Sequence, residues 1–259
     1  MVIIKTPEQV EGIRKSCQIL SRILKEVAAS VRPGMTTFQI NERTEQLIAA
    51  SGAAPAFKGY RPIPGIMPFP SVICTSINDV VVHGPATSHE PLKEGDIIGL
   101  DLGVKLNGFF SDMAVTVAVG EISPKTRALM EATEAALHAG IAQIKPGNRI
   151  RDISTAIEKS IRAAGKYGIV RDFVGHGVGL AVHEEPQIPN RVDRHLRADL
   201  DIVLKEGMVL ALEPMVTLGT DHVSILDDGW TVATDDGSLA AHYEHTIAVT
   251  KDGHDVLTA

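Results

Sequence analysis

Val10, Ile13, Cys17, Leu20, Leu24 and Val27 fall three, four or seven positions apart, which places them on one face of a helix. Thr6-Pro7 stands ahead of that stripe, with Gln9 three residues beyond Thr6, so the pattern predicts a capping box at the helix start and an end at Arg32-Pro33-Gly34. Ser123-Pro124 opens a second helix of this kind, predicted to run to Lys145-Pro146-Gly147. Beyond the two Pro-Gly breaks the residues match at a constant offset of 113: Pro33 with Pro146, Gly34 with Gly147, Ile40 with Ile153, Glu45 with Glu158, Ile48 with Ile161 and Gly52 with Gly165. Any two helix pairs share Pro-Gly punctuation, but here the offset also holds at interior apolar positions. The pattern therefore predicts a duplication within one domain spanning 1–259, with halves of about 1–120 and 121–259, each built as helix, break, helix and strands.

The strands carry a different period. Ile97 to Val104 and Phe109 to Val119 are apolar runs separated by Asn107-Gly108, a hairpin turn signal. With Asn107 and Gly108 at the turn centre, Asp112 faces Gly103, and alternation puts Asp101 on the same face as Gly103. The two carboxylates are then diagonal neighbours roughly 5.5–8 Å apart by Cβ. A one-residue slip would destroy the arrangement. Beyond Glu213, Asp228-Gly229, Asp236-Gly237 and Asp252-Gly253 punctuate short β-rich runs that read as an antiparallel meander. The expected architecture is α+β: two pseudo-equivalent halves face to face, a curved antiparallel sheet covered by helices, and a cleft between the halves.

Composition sets limits on this picture. A chain of 259 residues, 44% hydrophobic, buries a substantial core. No stretch has the length of a membrane span, and MVIIKTPEQ is too short in its apolar run for a signal peptide. Cys17 and Cys74 make no disulfide framework, which points to the cytoplasm. A net charge of −7 without a long basic run gives no support for nucleic-acid binding.

Five potential metal-binding residues sit in distinctive phrases: Asp101 in GLDLGV, Asp112 in FFSDMA, His176 in VGHGVG, Glu213 in ALEPMV and Glu244 in HYEHT. Taken singly, Asp101 and Asp112 could be surface residues of a half-solvated sheet; their apolar flanks argue otherwise. Four carboxylates and an imidazole brought to one place concentrate more negative charge than an interior tolerates without cations, so the economical reading is a pair of divalent metals. Carboxylates with one imidazole suit Co, Mn, Fe or Zn, without ranking them.

The phrases SINDVVVHG (76–84), GLDLGVKLNGFFSD (99–112), GHGVGLAVHEEP (175–186), LEPMV (212–216) and DGW through HYEHT (228–246), in this order, resemble the methionine aminopeptidases of type I over nearly the whole chain. About thirty positions separate His183 from Glu213, too few for the insertion that type II members carry there. The resemblance implies the pita-bread fold and hydrolytic removal of N-terminal methionine from nascent polypeptides, with a small second residue preferred, by a metal-bridged hydroxide. It implies that Asp101 chelates one metal, His176 and Glu213 the other, and that Asp112 and Glu244 bridge the pair. His183 would donate to the scissile carbonyl oxygen and His83 contact the scissile or following amide, while Glu213 also passes a proton from the attacking water to the departing amine. Without the motifs, both histidines read as structural.

Tyr60, Cys74 and Trp230 are implied as walls of a methionine socket, although each position also suits a plain core role. A monomer without membrane attachment is implied, with the ribosome as a further partner. Three departures stand out: Val182 where an aromatic residue usually precedes HEEP, a longer proline-rich stretch at 61–70, and His242 where glutamine is frequent. Alternation from Glu244 along a strand from Ala241 to Val249 turns His242 toward the cleft, as an outer hydrogen-bonding partner. His138, His195, His222 and His254 read as surface. Two alternatives share the fold: a proline-directed aminopeptidase, and a metal-free binding protein. None of the five ligand positions is lost, which speaks against the second.

Overall fold

The computed structural model describes residues 2–62, 65–192 and 201–259. Helices α1 (Pro7–Ser30) and α2 (Thr37–Ser51) precede strands β1 (Ala54–Pro55), β2 (Cys74–Ile77), β3 (Val80–Val82), β4 (Ile97–Leu106) and β5 (Phe109–Ala118). The second half repeats the order with α3 (Pro124–Ile141), α4 (Ile150–Ala164), β6 (Gly168–Ile169), β7 (Gly175–Gly177), β8 (Glu184–Ile188), β9 (Val209–Leu212) and β10 (Met215–Thr217). It ends with β11 (Val223–Ile225), β12 (Val232–Thr234), β13 (Ala240–His242), β14 (His245–Val249) and β15 (His254–Val256).

Local chemistry sets the helix ends. Thr6 and Gln9 form the capping box ahead of α1, and Thr36 with Gln39 forms another ahead of α2. Helix α3 stops at Ile141, short of the expected Lys145, because the chain tightens into a turn in which Ile144 N–H donates to Ile141 C=O and the Asn148 side chain to Gln143 C=O. Most matched residues behave alike: Ile40, Ile48, Ile153 and Ile161 are all buried, and Gly34 and Gly147 take φ of 88° and 91°, a left-handed conformation that suits glycine, whereas Gly52 is left-handed at φ 76° and Gly165 is extended.

The duplication continues into the strands at slightly different offsets. Gly34 N–H donates to Leu92 C=O and Gly147 N–H to Leu204 C=O; Gly95 N–H donates to Val119 C=O and Gly207 N–H to Val249 C=O. These pairs relate β4 to β9 at an offset of 112 and β5 to β14 at an offset of 130, so Asp101 corresponds to Glu213 and Asp112 to His242. Each half has its own core. Leu24, Ile40 and Ile48 pack on Ile98 and Leu100 in the first; Leu129, Leu137 and Ile157 pack on Leu210, Leu212 and Ile247 in the second.

Hairpin β4–β5 has the expected register, Gly103 opposite Asp112 and Asp101 opposite Ala114, with Asn107 and Gly108 both at positive φ, as such a turn requires. All described pairings are antiparallel. The strands after Glu213 do not form one meander. The β11–β12 hairpin pairs with β3 of the first half, β13 leaves to pair with β10, and only β14–β15 continues on β9. The strand expected from Ala241 to Val249 is likewise broken at Tyr243-Glu244, because its two ends belong to different ladders.

Candidate metal centre

The halves meet edge to edge along β5. Ala114 and Glu244 form an antiparallel bridge in which Glu244 N–H donates to Ala114 C=O at 2.8 Å. In that register Asp112 lies opposite Thr246 and Thr116 opposite His242. The bridge brings Asp112 and Glu244 together from distant parts of the chain. One donor atom from each of Asp112, His176 and Glu244 lies within 4.8 Å of the others, and all three residues are buried.

His176 is held between two glycines. A Cβ at Gly175 would stand 2.5 Å from Ala211 C=O, so β7 reaches β9 this closely only without a side chain there. His176 Nδ1 lies 2.9 Å from Gly177 C=O. A carbonyl only accepts, so Nδ1 carries the proton and Nε2 keeps a free lone pair facing Glu213 Oε1 at 3.5 Å. The other Glu213 oxygen, Oε2, is 3.4 Å from His242 Nε2. Asp101 and Asp112 line the same cavity, from the two strands of the β4–β5 hairpin.

Burial is the first cause of every shift at this centre. It raises Asp112 and Glu244 well above the ordinary carboxylate range, Asp101 to about 7 and Glu213 to about 8; neighbouring carboxylates add to the effect at Asp112 and Glu244, while at Asp101 His242 opposes it and Glu213 adds to it. Burial lowers His176 to about 3. Asp101 Oδ1, Glu244 Oε1 and His242 Nε2 are buried without a hydrogen-bond partner. Unsatisfied oxygens on mutually repelling carboxylates, beside an imidazole with a free lone pair, fit a divalent cation site.

The centre forms the floor of a cavity of about 640 Å³. Tyr60, Cys74, His83, Asp101, Asp112, His176, His183, Glu213, Trp230 and Glu244 all line it, whereas His242, which strand alternation turned toward the cleft, does not. His183 Nδ1 lies 2.9 Å from the Tyr60 hydroxyl, and its ring stacks edge-on to His176 at 4.5 Å. His83, at φ 61°, is lowered to about 4 by burial and sits edge-on to Phe173 at 5.5 Å. Trp230 Nε1 donates to Met67 C=O at 2.9 Å, tying the cavity wall to the proline-rich stretch. Val182 does not face the cavity; it is buried behind it with Phe57, Phe69 and Cys74. His138, His222 and His254 are exposed, and His195 lies outside the described residues.

Several contributors carried no sequence signal. Phe57, Phe69 and Phe173 supply apolar wall, but isolated phenylalanines suggest only core. Asn190 donates from Nδ2 to Glu213 C=O at 3.1 Å. Lys5 and Glu184, both with buried side chains, pair at 2.5 Å, and Glu184 also accepts from Leu180 N–H and Ala181 N–H, which braces the turn before His183. A lysine in the apolar opening IIKTP was the one available hint of a buried pair.

This fold and centre define a metallopeptidase: the chain belongs to metallopeptidase family M24, whose pattern it matches over residues 11–251. Within that family it is 44% identical to the methionine aminopeptidase of Clostridium perfringens, over 100% of this chain and 99% of that one. It is 42% identical to methionine aminopeptidase 1 of Bacillus subtilis, again over 100% and 99%. The crystal structure of the Thermotoga maritima methionine aminopeptidase superposes with a TM-score of 0.92 at 39% identity, covering 100% of this chain and 99% of that one.

Proposed function

We propose that this enzyme hydrolyses the peptide bond after an N-terminal methionine, with Asp101, Asp112, His176, Glu213 and Glu244 holding two divalent ions drawn from Co, Mn, Fe and Zn. The observation that carries the reading is the convergence of these five side chains on the floor of one cavity whose walls are largely apolar. When bound, such ions supply Lewis acidity and acidify water for attack. The chain's own groups do the rest. Tyr60, Cys74 and Trp230, with Phe57 and Phe69 beside them, enclose an unbranched thioether side chain. His183, with Tyr60 on Nδ1, presents an Nε2 proton to the scissile carbonyl oxygen as charge develops there. Glu213, on the cavity floor beside His176, takes a proton from the attacking water and returns it to the departing amine. His83 contacts the scissile or following amide. We expect a small second residue to be preferred beside His83 and His183.

No described helix is long and apolar enough to cross a membrane, and Cys17 and Cys74 are free thiols. We place the enzyme's work in the cytoplasm, on newly made chains.

The test is hydrolysis of Met-Ala, Met-Lys and Pro-Ala peptides by chelator-stripped protein titrated with each ion, alongside Asp112→Ala. Activity on Met-Ala should return with about two equivalents of metal and be lost in the variant. Preference for Pro-Ala would select the proline-directed alternative, and equal turnover of Met-Ala and Met-Lys would remove the small-residue rule.

A further inference from the structure

The seam between the halves is closed by two threonine side chains placed symmetrically about the Ala114–Glu244 bridge. Thr246 Oγ1 accepts from Asp112 N–H at 3.3 Å and donates to Asp112 C=O at 2.7 Å. Thr116 Oγ1 accepts from His242 N–H at 2.9 Å and donates to His242 C=O at 2.8 Å. Thr116 and Thr246 are related by the offset of 130 that also relates Asp112 to His242, so the two clamps are one device used twice. Both threonines are buried, at 3% and 0% exposure.

The device answers a geometric problem. Beyond the bridge, no ladder joins β5 to the 242–246 segment, and Asp112 and His242 turn a backbone N–H and C=O toward the seam. A hydroxyl both donates and accepts through a single atom, so threonine serves both backbone groups at once. Losing it would strand two buried polar groups.

We propose that Thr246 is the positioning residue for Asp112: by holding that residue's backbone on both sides it sets the carboxylate between the halves, so that divalent-ion affinity depends on a contact made by the opposite half. Thr116 is its internal control. It makes the same two bonds in the same seam, but to His242, which is not a proposed ligand and approaches the ligand set only through Glu213 Oε2, 3.4 Å from its Nε2. The inference rests on Asp112 being a ligand.

The experiment measures Co²⁺ binding to chelator-stripped wild type, Thr246→Val, Thr246→Ser and Thr116→Val by calorimetry, with the Co²⁺ absorption spectrum and thermal unfolding of the metal-free form recorded alongside. Thr246→Val should bind Co²⁺ at least about tenfold more weakly, with an altered spectrum, and Thr246→Ser should return to within about threefold. Thr116→Val should stay within about threefold of wild type despite a comparable loss of thermal stability. Should Thr246→Val not fold, Thr246→Ala makes the same comparison. Wild-type affinity in the Thr246 variant, or equal weakening by Thr116→Val, would overturn the assignment and reduce both clamps to seam packing. A wild-type protein that binds no Co²⁺ would overturn it differently, by removing the metal reading beneath it.

Discussion

The Tyr60 hydroxyl lies 2.9 Å from His183 Nδ1, on the opposite side of the ring from the nitrogen that would meet substrate. A hydroxyl donating to Nδ1 fixes the tautomer with its proton on Nε2, which is the form able to donate to a carbonyl oxygen. Tyr60→Phe removes that control while keeping the ring. We expect kcat to fall about three- to tenfold, with KM and metal stoichiometry little changed, because the bond is worth roughly 0.5–1.5 kcal/mol. Steady-state kinetics with metal analysis checks this; an unchanged kcat would free His183 from Tyr60.

His242 stands 3.4 Å from Glu213 Oε2, close enough to orient that carboxylate by a hydrogen bond after a small adjustment. Glutamine can also donate there, whereas alanine cannot. His242→Gln should therefore keep all bound metal and lose less than about threefold in kcat/KM, and His242→Ala should lose about tenfold. Loss of a full equivalent of metal from His242→Gln would instead make His242 a ligand.

The buried carboxylates give the metal-free protein an unusual pH response. Folded Asp101 and Glu213 hold their protons to about 7 and about 8, far above the unfolded carboxylate values, so their contribution to stability is greatest at low pH and is lost as pH rises through those values. His83 and His176 run the other way. Lowered to about 4 and about 3, they weaken the fold as pH falls through the unfolded histidine value of about 6.5 and are neutral in both states about a unit above it. Between about pH 7.5 and 8.5 the carboxylate effect dominates. The melting temperature of the metal-free protein should fall across that interval and be restored by divalent ion, which differential scanning calorimetry can follow; a flat profile would contradict it.

Val182 packs with Phe57, Phe69 and Cys74 behind the cavity wall. Val182→Phe adds bulk to a closed cluster and should cost about 1–3 kcal/mol in stability. Because the side chain does not reach the cavity, the ratio of kcat/KM for Met-Ala over Leu-Ala should change less than about threefold. Denaturant unfolding and paired kinetics measure both, and a large shift in the ratio would show that the wall yields to what lies behind it.

Much of this protein was decided locally. Threonine caps, Pro-Gly breaks, the positive-φ turn at Asn107-Gly108 and the apolar stripe of α1 act over a few residues, and for that reason the helix starts, the β4–β5 register and the common face of Asp101 and Asp112 could be read from the sequence. The repeat was legible at Ile40, Ile48, Ile153 and Ile161 because buried apolar positions constrain residue type. Other features depended on partners far along the chain. Tertiary pairing sent β13 to β10 and β14 to β9, breaking an apparently continuous strand, and buried Val182 behind the cavity lining. It also set Asp112 beside Glu244 and under the Thr246 hydroxyl, through a register between strand edges more than a hundred residues apart. Hydrophobic period and turn chemistry determine elements one at a time; the meeting of two strand edges depends on both finished halves, since only then do the seam's backbone groups lose water and require partners.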